Sequence, residues 1–374
     1  MRLLYVVSDF SQRTFGLSES VRLMARRLYG HGVGADVLDR GQFVPNVHDL
    51  EVLPAAPPTS GVEAFSYSAI GLYDAILHVG PWQNPIQAAR MMSIRNSGQP
   101  VFYLPRGGLA RIEFSRPRDL KKFPYFFLIE RRLLRASNGV IYSSLVEQSG
   151  TSSFARRAAP EHVIPDIFEP PSQSHRTSAA IQDGPVVFSF LAGIRPRKGL
   201  LPLISAFITW SKGVELRGRV RLRIGGSALP GSESYLAEAR RLATEDDKVP
   251  AISFEGGVTH ECRREFYRNT DILVVPSLFE SYCLVVLEAL AEGCVVVAAP
   301  NLGVLEFLPP NGDLIVSEGL DQKSLIAALE AALLRVKADR HLRREGIIRY
   351  AGDAIEAINA EATRRWLTLL SPSA

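Results

Sequence analysis

The sequence predicts an α/β protein made of two doubly wound, Rossmann-like domains that face a cleft. Three observations carry this expectation. Short apolar runs alternate with longer amphipathic segments, the pattern of a parallel sheet covered by helices on both faces. The alternation stops once, over DIFEPPSQSHRTSAAIQDGP (residues 166–185), where Pro, Ser and Gln without periodicity mark an interdomain linker. A chain of 374 residues is also long enough for two domains that each bury their own core.

Taken in order, the first domain (residues 1–165) is expected to hold strands at Leu3 to Val7, Asp74 to Val79, Pro100 to Leu104, Gly139 to Tyr142 and His162 to Ile164. Helices such as Leu17 to Gly30 and Leu120 to Ala136 fall between them. The second domain (residues 186–350) repeats the scheme, with strands at Val186 to Leu191, Val220 to Ile224, Ile252 to Phe254, Ile272 to Val275 and Val295 to Ala298. A helix is expected at Leu284 to Glu292, and the chain is helical in pattern from Asp321 onward. The last stretch, residues 351–374, ends in Trp366, Leu367, Leu369 and Leu370, an apolar face expected to pack back on the first domain.

Composition narrows the function classes. With 46% hydrophobic and 22% charged residues the chain reads as a soluble globular protein. A net charge of +4, from 43 Lys and Arg against 39 Asp and Glu, is too mild to argue for nucleic acid as a partner. Cys262, Cys283 and Cys294 form no CxxC pair, so neither a disulfide framework nor a zinc site is indicated and a reducing cytoplasm is expected. The opening MRLLYVVSDF is too short for a signal peptide and reads as a buried strand. No run reaches the roughly 18 apolar residues of a membrane span, which limits membrane contact to the peripheral kind.

Doubly wound sheets bind ligands at the carboxyl ends of their strands, so the loops there are the place to look. One such loop opens PSLFESYCLVVLEALAEG (residues 276–293), which places Glu280 in a turn before a helix and Glu288 inside that helix. A helix N-terminus presents unpaired amides and partial positive charge, a ready seat for a diphosphate over Ser281, Tyr282, Cys283 and Leu284. One acid then reaches a transferred group and the other a ribose, whose vicinal hydroxyls suit a carboxylate. The plainer readings are a helix-capping acid for Glu280 and a surface helix residue for Glu288. The flanks LVVLEALA argue against a solvated face.

A second loop, AGIRPRKGLLPLISAF, places Arg195, Arg197 and Lys198 after a strand. Three cations in four positions repel one another unless an anion joins them, and a diphosphate would. No DxD-type pair follows an apolar strand to hold a metal ion, so these side chains would neutralise a leaving diphosphate themselves. The alternative is a solvated basic turn.

Together these stretches, with FEGGVTHECRREFYRNTDILVV upstream, resemble the retaining GT-B glycosyltransferases of family 4, among the glycosyl transferases group 1 of envelope and exopolysaccharide type. The likeness spans the second domain and extends more weakly into the first. It implies a hexosyltransferase that uses a UDP- or GDP-linked sugar, with a glycan or lipid-linked saccharide as acceptor and neither a cofactor nor a metal. By resemblance Glu280 contacts the donor sugar, Glu288 the ribose, and the amides between them the diphosphate. Lys198 with Arg197 or Arg195 stabilises the departing charge. Two positions depart from the pattern: Cys283 stands where the family has glycine, and Gly193 where it has an arginine.

In the first domain Gly16 matches a single glycine of the family's first loop, and YLPRGGLARIEF resembles a Pro-His-Gly-Met-Leu type segment with Arg106 at the histidine position. Arg106 is read either as a phosphate ligand or as half of a structural ion pair. Between Arg106 and Arg135 there are nine basic residues against three acids, interleaved with the aromatics of FPYFF. Such a segment suits the anionic inner face of the plasma membrane, or else covers a core as an ordinary basic helix. Two rival functions stay open: a sugar-nucleotide epimerase of the same architecture, and a catalytically silent subunit that binds nucleotide. An NAD-dependent enzyme is disfavoured because no GxGxxG follows the first strand of either domain.

Overall fold

A computed structural model of the chain describes all residues except 9, 11–14, 40–41, 52–66, 83–84, 97, 116–121, 157, 171–183, 214–215, 217, 245–251, 338–339 and 372–374. It divides into two compact units. One comprises Met1–Glu169 with Ala357–Ala374, the other Pro170–Glu356.

The first unit is built on β1 (Arg2–Val7), β2 (Gly34–Asp39), β3 (Gln42–Val44), β4 (Ala75–Val79), β5 (Val101–Leu104), β6 (Gly139–Tyr142) and β7 (Glu161–Val163). They lie in the order β3-β2-β1-β4-β5-β6-β7. Every neighbouring pair is parallel except the β2–β3 hairpin. β1 buries five consecutive residues, as a strand covered on both faces must. Helices Phe15–Tyr29 and Pro85–Arg95 are among those that supply the cover.

Two of these strands escape a search for apolar runs. β2 reads GADVLD and carries two buried acids, Asp36 and Asp39. Both have partners: Asp36 pairs with Arg2 at 2.7 Å and accepts from the Tyr73 hydroxyl at 2.7 Å, and one oxygen of Asp39 accepts from the Phe10 amide at 2.9 Å. Partnering, rather than apolarity, is what makes this segment a strand.

The second unit contains β8 (Val186–Leu191), β9 (Val220–Gly225), β10 (Ile252–Gly256), β11 (Ile272–Val275), β12 (Val295–Ala298) and β13 (Leu314–Val316), in the order β10-β9-β8-β11-β12-β13. All five neighbouring pairs are parallel. The expected helix beginning at Leu284 is present as Leu284–Ala291.

The expected linker needs correcting at its start. Asp166, Ile167 and Phe168 are buried parts of the first unit, because Asp166 pairs with Arg106 and the two apolar side chains enter the core. Residues 171–183 of that segment lie outside the described residues. The expected helix from Leu120 is also modified. Its described part starts at Lys122 and passes through a π turn at Phe126–Glu130 before Arg131–Ala136. The final helix runs unbroken from Arg340 to Leu370 and leaves the second unit at Glu356. Its end packs within the first unit: Trp366 is buried, and Asn359 accepts from the Phe168 amide at 3.0 Å while donating to its carbonyl at 2.7 Å.

Candidate functional site

In the second unit β8 and β11 are parallel neighbours, with Ile272 opposite Phe188 and Leu273 opposite Ser189. The loops at their carboxyl ends therefore emerge side by side, the position expected for a ligand. Gly199 brings them into contact. It adopts φ 72°, and a Cβ there would fall 2.0 Å from the Pro276 carbonyl oxygen. The Leu278 amide donates to the Arg197 carbonyl at 2.9 Å and seals the two loops.

Across this seam Lys198 and Glu280 form an ion pair, Nζ to Oε1, at 2.5 Å. The Glu280 backbone is held twice, its amide donating to Asn301 at 3.1 Å and its carbonyl accepting from Gly303 at 3.2 Å. Burial alone would push its carboxyl up. The charges of Lys198 and Arg197, with hydrogen bonds from Lys198 and Ser277, outweigh that and hold it below the usual carboxylate range. Glu280 is thus a fixed anion rather than a candidate acid. Arg195, Arg197 and Lys198 are all half-buried around the short turn Pro196–Lys198.

Cys283 precedes helix Leu284–Ala291 at φ 94° and ψ 67°, a left-handed conformation that glycine adopts without cost. The backbone therefore has a shape suited to glycine while carrying a side chain. Burial first, and then the charge of Glu280, raise the thiol well above its ordinary range, so it is no thiolate nucleophile. Tyr282 is buried beside Phe307, and its carbonyl accepts from the Val304 amide at 2.9 Å. Its side chain is part of the core. Leu284, Val285 and Glu288 form the half-exposed stripe of the helix, whereas Val286, Leu287, Ala289 and Leu290 are buried. Along that stripe Glu288 sits about 6 Å from Leu284 at 1.5 Å rise per residue.

Glu288 has partners that sequence reasoning missed. Arg263 Nη1 lies 3.1 and 3.3 Å from its two oxygens, and the Tyr267 hydroxyl donates to Oε2 at 2.6 Å. In HECRREFYRN the i,i+4 spacing shows only that Arg263 and Tyr267 share one helix face, not what that face holds. At Gly193 an added Cβ would meet the Leu229 side chain at 3.1 Å, so Leu229 borders the place where the family has an arginine stem.

The remaining expected residues belong to the first unit. Gly16 is the exposed second residue of helix Phe15–Tyr29, where a Cβ would meet nothing within 4 Å. Among the described residues no close approach requires glycine there, and the loop before it falls largely outside them. Arg106 takes the ion-pair reading: it is bonded to Asp166, both side chains being nearly buried. The basic segment is less aromatic at its surface than expected, since Phe126 is buried against Phe154 and only Phe127 of the three phenylalanines in FPYFF is exposed. Arg116, Arg118 and Lys121 lie outside the described residues.

Two α/β units built on parallel sheets, with Lys198 and Glu280 brought together at the carboxyl ends of β8 and β11, have the GT-B architecture. Residues 171–349 match the family model of glycosyl transferases group 1, and this second unit belongs to that family. The chain is 30% identical over 210 residues to a D-inositol 3-phosphate glycosyltransferase of Geodermatophilus obscurus, covering 56% of this chain and 46% of that one. It is 28% identical over 141 residues to a lipopolysaccharide 1,2-N-acetylglucosaminetransferase of Salmonella typhimurium, covering 37% and 36%. The chain thus spans less than half the length of these two relatives. Among solved structures it resembles sucrose-phosphate synthase of Thermosynechococcus elongatus, with TM-score 0.70, 17% identity and all of both chains covered. It also resembles Anabaena Alr3699/HepE in complex with UDP-glucose, with TM-score 0.67, 16% identity, and 98% and 100% covered. These likenesses show the fold.

Proposed function

We propose that the protein is a retaining hexosyltransferase that uses a UDP- or GDP-linked sugar and builds surface glycan on a saccharide or lipid-linked acceptor. The observation that carries the reading is the Lys198–Glu280 pair, fixed across two adjoining loops beside a helix N-terminus. In this reading the diphosphate lies over the amides of Cys283 and Leu284, Glu280 orients the sugar and Glu288 holds the ribose. The bond from the anomeric carbon to the diphosphate oxygen breaks as one from that carbon to the acceptor oxygen forms on the same face. The acceptor's proton passes to the departing diphosphate, so no side chain serves as base. Lys198, with Arg197 and Arg195, balances the charge that develops there, which leaves no step that calls for a metal ion.

The UDP-glucose bound by the similar Anabaena structure supports a sugar-nucleotide donor, and the relatives' names offer two acceptor classes, a lipopolysaccharide-type glycan and a phosphorylated polyol. Peripheral contact with an anionic membrane at its cytoplasmic face is part of the proposal. Phe127 and Leu128 are exposed next to Arg131, whose guanidinium lies 5.6 Å from the Phe127 ring, and to the exposed Arg132 and Arg135. No helix among the described residues is long and apolar enough to cross a membrane.

The test is product analysis by NMR with UDP- and GDP-hexoses, alone and with both acceptor classes. A glycoside that keeps the donor's anomeric configuration, formed only with acceptor, supports the reading. An isomerised sugar from donor alone would establish the epimerase, and nucleotide binding without turnover across the panel the silent subunit.

A further inference from the structure

Helix His260–Arg268 offers two rows of side chains to helix Leu284–Ala291 and its end. Arg263 and Tyr267, four apart and so on one face, both grip Glu288. Arg264 and Arg268 grip Glu292 at 2.9 and 3.3 Å. The two acids differ in what surrounds them. Glu292 is buried at the helix end, and its carbonyl accepts from Arg344 at 2.9 Å, which marks its row as packing. Glu288 is almost as well covered, its side chain 13% exposed against 10% for Glu292, and differs by lying along the stripe that begins at Cys283 and Leu284.

The contacts on Glu288 are unevenly spread. Tyr267 bonds Oε2, and a single Arg263 nitrogen is shared by both oxygens. A carboxylate has about four acceptor sites, so capacity remains, chiefly on Oε1. Burial and the charge of Glu288 push the Tyr267 hydroxyl well above its ordinary range, which keeps it a donor.

We propose that Arg263 and Tyr267 are positioning residues that lock Glu288 to read a vicinal diol, and so restrict the donor to ribonucleoside diphosphates over their 2′-deoxy counterparts. This rests on the reading of Glu288 as the ribose contact. A free glutamate on a helix would turn among rotamers and bind one hydroxyl as readily as two. A carboxylate gripped from one side presents its open side in one orientation, which is what discrimination between a diol and a single hydroxyl needs.

The experiment measures dissociation constants of UDP, GDP, 2′-deoxy-UDP and 2′-deoxy-GDP by thermal-shift titration of the full chain. The variants are Tyr267→Phe, Arg263→Gln and, as control, Arg264→Gln. Where Arg263→Gln does not fold, Arg263→Lys replaces it. The wild type is expected to prefer the ribonucleotide by about tenfold or more, the equivalent of one charge-assisted hydrogen bond. In Tyr267→Phe and in the Arg263 variant that preference should fall to about threefold or less, the deoxynucleotide binding nearly as before. Arg264→Gln should keep it.

A preference that survives both substitutions, or affinities for both sugars that fall in parallel, would overturn the positioning role and leave only helix packing. A wild type that binds nucleotide without telling the two sugars apart would overturn the Glu288 reading itself. No stabilisation by any of the four would go further and remove the nucleotide site.

Discussion

Cys283 stands in a backbone conformation suited to glycine, and the cost of a Cβ there is on the order of 1–2 kcal/mol. Cys283→Gly should therefore match or exceed wild-type stability, while Cys283→Val, β-branched at positive φ, should lose about 2 kcal/mol or more. Urea denaturation midpoints check the order, and equal stability of the two variants would contradict it. A second residue argument concerns Glu130 in the first unit. Its buried carboxyl accepts from the Trp82 amide at 2.8 Å and the Tyr103 hydroxyl at 2.6 Å. Burial raises it from 4.5 to about 7, against the effect of those two hydrogen bonds. Because the folded state binds the proton more tightly, this group's contribution is full below pH 4.5 and is lost as pH rises through 7. The loss approaches roughly 3 kcal/mol. Stability of the wild type should thus decline between pH 5 and 8 more steeply than that of Glu130→Gln, and parallel curves would refute the assignment.

Elements explain why the two loops meet where they do. β8 and β11 are neighbours, and Gly199 lets one turn pass against the carbonyl that ends the other. Gly199→Ala should push these loops apart, cost about 2 kcal/mol or more and abolish stabilisation by nucleotide diphosphate. Wild-type response in that variant would show that the seam is dispensable. The same scale shows what was legible in sequence. Buried parallel strands such as β11 and β12 are continuous apolar runs, and β8 is broken only by Ser189, so all three are legible in the sequence. β2 is not, because Asp36 is held by Arg2, Tyr73 and the Asn46 amide, and Asp39 by the Phe10 amide, partners that lie on other segments. β3 and β13, three residues each, are too short for a periodicity to appear. Glu280 and Lys198 could be named from motif and charge, yet their pairing depends on sheet order, which spacing does not encode. Arg263 and Tyr267 were passed over because their target, Glu288, lies on another helix.

At the scale of the whole molecule, each unit is a sheet with its own core, and the chain passes between them at Glu169 and again at Glu356. Composition marked the first passage a few residues early, since Asp166 to Phe168 look like linker until Arg106 and the core claim them. The second lies inside a continuous helix, where no compositional break exists to be read. The group 1 family assignment covers the second unit, and the proposed activity therefore stands on the β8 and β11 loops. The most direct measurement is the rate of sugar transfer by wild type, Lys198→Ala and Glu280→Gln, with circular dichroism confirming the fold. Wild-type turnover with each variant reduced on the order of a hundredfold or more is the expected result. Wild-type rates in both folded variants would contradict the account.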